Sequence, residues 1–227
     1  MRPLSSTITK LRSYGSWLPI IVVAGASLVL TERLFRLVDH YAVNVFFSDQ
    51  WEFNDATIFQ QHSIWQIFTW QHGPHRQGLG GVLAKLLEPY FQWDSRIESF
   101  LILGIFVFAG VLALWLKRRI YGSFEYYDLV IPSLFLTATQ CEVIFGAANL
   151  AHGSLPLLLV VIYCLAWTVR SLILRFAVIL VVNFLLIFTG FGLLMGLITP
   201  WHFSAVSGCR RRRSGNMRST FRQLWWQ

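Results

Sequence analysis

Charged residues are scarce in this chain of 227 residues: they make up 13% of it, whereas hydrophobic residues make up 55% and aromatic residues 16%. Soluble domains carry about 25% charged residues. A soluble fold of this size would have to expose large apolar patches. The composition therefore excludes an ordinary soluble domain. It predicts an integral membrane protein, because lipid accepts apolar surface.

Cysteine pairs and familiar catalytic loops are missing as well. Cys141, Cys164 and Cys209 are far apart, so neither a disulfide framework nor a cysteine metal site is predicted. The sequence has no glycine-rich phosphate-binding loop, nucleophile elbow, heptad pattern or internal repeat. Function must therefore be sought in scattered polar residues of a membrane protein.

Acidic residues are absent from the C-terminal segment, which explains the net charge of +8. Residues 1–200 hold 13 Lys and Arg against 11 Asp and Glu, and the other six basic residues lie between Arg210 and Arg222. A basic run beside a membrane segment is the ordinary interpretation, so no nucleic-acid partner is predicted. We expect residues 1–206 to form a transmembrane domain and residues 207–227 to form a basic, disordered tail. The change in composition also suggests a truncated or frame-shifted reading frame, or a partner chain that completes the bundle.

The apolar segments predict an all-α fold, a polytopic bundle of five or six transmembrane helices, since about 20 residues cross a bilayer. The predicted spans cover residues 14–38, 100–116, 129–145, 150–169 and 172–188. Residues 191–206 either extend the fifth helix or form a sixth. The excess of Lys and Arg in cytoplasmic loops favours six spans with a cytoplasmic N-terminus, because the basic run at residues 210–213 then lies inside.

One polar segment, residues 39–98, separates the first two predicted spans, and this topology places it outside. It holds seven of the eleven acidic residues, four of the six histidines and four tryptophans. A flexible linker would be poor in aromatic residues. We therefore expect this external loop to fold on the membrane surface as amphipathic interfacial helices, one within residues 58–70 and one over about residues 79–90.

The first candidate cluster lies at the start of this loop. Asp49 and Glu52 are three residues apart and would share one face of a helix. Together they could hold a cation or a proton, and an ionised carboxylate could act as a general base. The alternative is that both acids only solvate a loop.

The second candidate cluster contains His72, His75 and Arg76. Arginine binds phosphate through two parallel hydrogen bonds, and histidine can add a donor or a proton. Gly73 and Pro74 predict a turn between the histidines, so helical metal-ligand spacing does not apply and no metal site is predicted. A hydrogen-bonded turn histidine is the alternative role.

The third candidate cluster lies near the end of the third predicted span. Glu142 interrupts an apolar stretch, where a carboxylate is costly and should face a cavity, a partner or water at the helix end. Asn149 and His152 follow in a short polar turn. The predicted topology puts this turn on the same side as the loop, so the three clusters could line one external cavity.

At these residues the chain resembles the N-terminal half of membrane-embedded glycosyltransferases of the GT-C type, in particular uncharacterised bacterial members. The resemblance covers about residues 15–200. It rests on the order of helices and on four short motifs: Ser48-Asp49-Gln50-Trp51, Gln71-His72-Gly73-Pro74-His75-Arg76, Gln140-Cys141-Glu142 with Asn149, and Thr189-Gly190-Phe191-Gly192-Leu193.

The resemblance implies an inverting transfer of a sugar from a polyprenyl-phosphate carrier to an external acceptor, at the inner membrane of a bacterium. It implies that Asp49 is the catalytic base and that Arg76, with His75, holds the donor phosphate. The other predicted substrate-binding residues are Glu52, His72, Glu142, Asn149 and His152. The expected partners are a lipid-linked sugar donor and membrane lipid. No cofactor is predicted, although a divalent cation is compatible with the acids.

Two other functions remain open at this point. A small transporter or channel subunit would use Glu142 and Asn149 as a polar path, and it predicts charged or broken helices. A structural membrane subunit would have no site, and it leaves the polar residues on one side of the membrane unexplained.

Overall fold

The computed structural model describes residues 17–46, 50–53, 62–73, 75–145 and 150–189. Within these ranges the chain is mostly helical. The helices are α1 (Leu18–Tyr41), α2 (Gln50–Phe53), α3 (Ile64–Thr69), α4 (Gly78–Phe91), α5 (Ser95–Tyr121), α6 (Val130–Phe135), α7 (Cys141–Phe145), α8 (Ser154–Ala166) and α9 (Leu172–Ile187). Single 3-10 turns, Tyr126–Leu129 and Ala138–Gln140, precede α6 and α7. A short antiparallel hairpin joins β1 (Gln71–His72) to β2 (His75–Arg76).

Three described segments are long and apolar enough to cross a membrane: α1, α5 and Tyr126–Phe145. They correspond to the first three predicted spans. Helices α8 and α9 are shorter, with 13 and 16 residues. At 1.5 Å per residue they extend only about 20 and 24 Å, less than the roughly 30 Å of a hydrocarbon core. The structure thus confirms a helical protein with membrane-spanning candidates, while the count of five or six spans and the cytoplasmic N-terminus stay predictions. The sixth predicted span and the tail lie outside the described residues.

Helix α5 is longer than the predicted second span at both ends. The Asp94 side chain accepts a hydrogen bond from the Arg96 amide at 2.9 Å and so caps the first turn. At the other end Gly122, with φ +81°, terminates the helix, and Arg118 and Arg119 lie in its last turn. Cationic side chains there complement the helix dipole. The helix therefore begins five residues before the predicted residue 100, and Glu98 belongs to it.

The third predicted span is not one continuous helix. After α6 the backbone leaves helical geometry at Leu136, with φ −114° and ψ 36°. The Thr137 hydroxyl then accepts a hydrogen bond from the Thr139 amide at 3.3 Å and starts a new turn. Because threonine side chains can satisfy free backbone donors, such an interruption is tolerated at membrane depth when protein surrounds it. A cavity beside Leu136 and Thr137 also includes Arg33 of α1.

Two apolar cores hold the bundle together. The first joins α1 and α5 to the residues around α7 and α8, with Leu34, Val38, Ile102 and Phe106 at its centre. The second lies between α8 and α9. The outward faces of the helices are also apolar: Leu28 is 71% exposed and Ile173 is 84% exposed. Water would penalise this surface, whereas lipid would not.

An ion pair is buried at the far end of α5. Lys117 pairs with Asp128, and both side chains are almost inaccessible to solvent. The Lys117 ammonium also donates to the Ser123 carbonyl at 2.6 Å, and the Asp128 carboxylate accepts the Glu125 amide at 2.7 Å. These extra hydrogen bonds satisfy a buried pair whose desolvation would otherwise be expensive.

The loop between α1 and α5 folds into a layer over one end of the bundle. The Ser63 hydroxyl accepts the Gln66 amide, and the Gln66 side chain accepts the Ser63 amide in return, so α3 starts with a capping box. Residues 58–61 of the first predicted interfacial helix lie outside the described residues. A helix is confirmed at the second predicted position: α4 runs through Pro89, and Gln92 caps its end in the left-handed region. Its place at the membrane interface stays a prediction.

The layer packs closely on the ends of α8 and α9. The Phe68 ring lies 4.7 Å from the Phe188 ring. A Cβ added at Gly80 would lie 2.6 Å from Ala151, and one added at Gly78 would meet the Phe188 backbone. Real Cβ atoms essentially never approach within 3.0 Å, so glycine is required at both contacts.

Candidate functional site

The candidate residues lie mainly at one end of the bundle. Helix α1 enters the loop at this end, α5 leaves it, and the turns at Ala151 and Phe188 pack beneath α4. The end therefore gathers polar groups from three separate parts of the chain. Asp49 and Asn149 lie outside the described residues. His75 is described only as part of β2.

Glu52 and His72 form a direct pair. Glu52 Oε2 lies 2.8 Å from His72 Nε2, and the histidine side chain is only 16% exposed, against 56% for the glutamate. The Trp70 ring lies 5.8 Å from the imidazole. The pair ties α2 to the hairpin and fixes the histidine tautomer, because Nε2 faces a carboxylate.

Arg76 lies on the other side of the same hairpin. Gln71 is paired with Arg76 and His72 with His75, and successive residues of a strand point to opposite faces. The Arg76 guanidinium is exposed and lies 5.2 Å from the centroid of the Phe188 ring. Among the described residues, no carboxylate pairs with it. Arg76 and His72 therefore present separate surfaces.

Glu142 and His152 occupy two other places in the described structure. Glu142 is exposed and lines a groove of about 370 Å³ together with Tyr41, Ser99 and Cys141. His152 is half-buried in the turn before α8. The convergence of the three clusters in one external cavity, which also involves Asp49 and Asn149, stays a prediction.

The structure also shows a buried carboxyl pair that the sequence analysis does not single out. Glu88 and Glu98 are only 5% and 8% exposed, and their carboxyl groups are close enough to interact directly. Gln50 Nε2 donates to Glu98 Oε2 at 3.4 Å. The pair lines a cavity of about 20 Å³ that Gln50, Gln77 and Trp93 also line.

Burial raises the pKa of Glu88 to about 7, and the nearby Asp94 carboxylate adds to the increase. The Glu98 hydrogen bond acts in the opposite direction. The pKa rises because the charged carboxylate is costly in a poorly solvated site. A carboxyl group with a raised pKa in a cavity marks a candidate functional site, although buried networks with a structural role raise pKa values too.

Gln77 adds a second unusual feature to the cavity. Its side chain is fully buried, and neither its amide nitrogen nor its amide oxygen has a hydrogen-bond partner among the described residues. Leaving a buried polar atom unsatisfied costs about 1–3 kcal/mol. Buried polar groups of this kind are normally satisfied by a water, an ion or a ligand in the adjoining cavity.

A faint signal for this cavity is present in the sequence. Gln77, Gly81, Ala84 and Glu88 follow helical spacing along one face of α4, so two polar residues bracket a stripe of small ones. The sequence gives no comparable signal for Glu98, because an acidic residue near the start of a helix is common.

The described residues contain no group of three or more His, Cys, Asp and Glu side chains that could hold a metal ion. Comparison with protein-family models, curated protein sequences and solved structures found no match for this chain. Its function therefore has to be argued from the side chains themselves.

Proposed function

We propose that the chain transfers a sugar from a polyprenyl-phosphate-linked donor to an acceptor at the external face of a bacterial inner membrane. The observation that carries this proposal is the exposed guanidinium of Arg76, fixed on Phe188 at one end of a membrane bundle. The loop would then lie outside and the N-terminus in the cytoplasm. The three apolar segments support a substrate that is itself held in lipid.

Arg76 is suited to a lipid-linked phosphate for three reasons. Stacking on Phe188 uses only one face of the guanidinium, so its edge still presents N–H donors for two parallel hydrogen bonds to phosphate. The residue also lies just before α4, whose N-terminus has no side-chain cap and carries partial positive charge. Finally, the prenyl chain of such a donor stays in lipid, which leaves its phosphate at the membrane surface.

The transfer step needs one base and one stabilised leaving group. The acceptor hydroxyl attacks the anomeric carbon from the side opposite the phosphate, and its proton passes to the carboxylate of Asp49. The bond between the anomeric carbon and the phosphate oxygen breaks. Its electron pair leaves with the polyprenyl phosphate, whose charge Arg76 stabilises. Glu52 and His72 would hold α2, which begins directly after Asp49, against the hairpin.

The test compares Arg76→Gln with Arg119→Gln in membranes that contain the full chain and a polyprenyl-phosphate sugar. Arg119 is a matched control, because its exposed guanidinium lies 5.1 Å from the Trp115 ring at the other end of α5. Loss of a charged phosphate contact worth about 1.5–3 kcal/mol should raise the KM for the donor about 10- to 100-fold. Arg119→Gln should leave the KM unchanged, and Asp49→Asn should abolish transfer without impairing membrane insertion. Equal transfer by Arg76→Gln and wild type would refute the role of Arg76.

A transport function is the second candidate, and the interrupted third span favours it. Transporters place polar paths at broken helices, and the break at Leu136 lies beside a cavity of about 240 Å³. In that case, ion or solute flux in liposomes would depend on Glu142, and sugar transfer would be absent.

A further inference from the structure

We propose that the cavity between α4 and α5 binds one divalent cation with hard character, such as Mg²⁺, Mn²⁺ or Ca²⁺. Its ligands would be the carboxylates of Glu88 and Glu98 and the carboxamide oxygens of Gln50 and Gln77. This cation site does not rest on the proposed sugar transfer, since its residues are not those assigned to the donor phosphate or to the base.

The two carboxyl groups face one another without a positive partner from the protein. Among the described residues, no Lys, Arg or His side chain forms an ion pair with Glu88 or Glu98. The Asp94 carboxylate adds a further negative charge close to Glu88. Gln50 and Gln77 are neutral. Buried like charges require a proton or a counter-ion between them, so the cavity has the charge of a cation site.

Gln77 supplies an observation that is independent of the acids. It is fully buried at the start of α4, lines the same cavity and leaves both side-chain polar atoms unsatisfied among the described residues. A carboxamide oxygen is an acceptor with two lone pairs. A cation in the cavity would satisfy this oxygen and both carboxylates at once. A proton held between the two carboxyl groups would satisfy only the acids.

The size and chemistry of the cavity define the ligand class. A volume of about 20 Å³ admits a single water or ion and no organic molecule. Carboxylate and carbonyl oxygens are the ligands that Mg²⁺ and Ca²⁺ prefer. Gly80 and Ala151, which approach each other closely, both line the cavity.

Terbium luminescence provides a direct test, because Tb³⁺ prefers oxygen ligands and is sensitised by a nearby indole. Trp93 lines the cavity. The full chain in detergent micelles should show saturable luminescence with one ion per chain, reversed by Ca²⁺ or Mg²⁺, and the order of competition identifies the preferred ion. Glu88→Gln and Glu98→Gln should each weaken binding at least about tenfold, since even partners outside the ligand shell contribute about 10- to 100-fold.

Glu32→Gln is the matched control, because Glu32 is an exposed acid that does not line the cavity; its Tb³⁺ affinity should equal that of wild type. If a cavity variant does not fold, the wild-type chain still decides the matter through the number of Tb³⁺ ions bound, which should be one per chain, and through their displacement by excess Ca²⁺ or Mg²⁺. Saturable binding of one ion per chain that is lost in the cavity variants supports the site. The absence of saturable binding, or binding that survives both substitutions, overturns it and leaves a water-filled cavity with a shared proton. Neither outcome depends on sugar transfer.

Discussion

Two glycines of the loop provide a test of how closely it packs on the bundle. Gly73 and Gly78 both have left-handed backbones, with φ +57° and +51°. A Cβ at Gly73 would meet nothing within 4 Å, whereas a Cβ at Gly78 would meet the carbonyl oxygen of Phe188 and lie 2.7 Å from its carbon. Gly73→Ala therefore introduces backbone strain alone, and Gly78→Ala introduces the same strain together with a backbone clash.

The expected losses of stability differ accordingly. A left-handed alanine costs about 1–2 kcal/mol, so Gly73→Ala should lower the free energy of unfolding by about that amount. Gly78→Ala should lower it by about 2–5 kcal/mol, because a forced fit in a packed region adds about 1–3 kcal/mol. The backbone of Phe188 cannot rotate away as a flexible side chain would. Either α4 or the end of α9 must shift.

Both variants would be unfolded by heat and by denaturant in the same detergent, with tryptophan fluorescence as the signal. The Trp65 ring lies 6.5 Å from the Phe188 ring, so the Gly78→Ala emission should also change in the folded state. A difference between the two variants of less than about 0.5 kcal/mol, with unchanged emission, would show that α4 does not contact Phe188. The placement of Arg76 would then lose its basis.

Two further predictions concern buried charge. Lys117→Met leaves Asp128 buried without a counter-charge and should lower the free energy of unfolding, measured by thermal unfolding, by about 3–5 kcal/mol. The double variant with Asp128→Leu should recover most of this loss. Additive losses in the two single variants and the double variant would contradict the ion pair. The pKa of Glu88 is raised from 4.5 to about 7 in the folded chain, so the folded state binds more protons than the unfolded state between these values. Stability should therefore fall as pH rises from about 4.5 to about 7, by roughly 3 kcal/mol at most, and it should not recover above that range. Glu88→Gln should flatten this part of the profile, and an unchanged slope would contradict the assignment.

Local pattern was sufficient for some elements and misleading for others. The amphipathic spacing predicts α4 to within one residue at each end, because its period persists along the helix. The start of α5 is missed, since the charged residues Arg96 and Glu98 hide a helix that Asp94 caps. The break at Leu136 is missed as well, because the span is predicted from overall apolar length, although polar residues begin directly after it at Thr137.

Some features of the candidate site could be predicted from the sequence, and others could not. The turn at Gly73 and the surface position of Arg76 follow from the sequence around them. The pairing of Glu52 with His72 does not, since α2 and the hairpin meet only after the loop has folded. The contact between Glu88 and Glu98 depends on the reversal at Gln92 and Trp93, two residues other than glycine with positive φ, and such residues are uncommon.

The sequence by itself determined that this is a membrane protein, that it is helical and that a polar loop follows the first span. Those properties depend on composition and on the length of apolar runs, which act residue by residue along the chain. Only the tertiary structure decided that α8 and α9 are short, that Arg76 rests on Phe188, and that two glutamates and two glutamines surround one small cavity. Those features join residues that are far apart in the chain, and their energies arise from burial and contact, which no local pattern encodes.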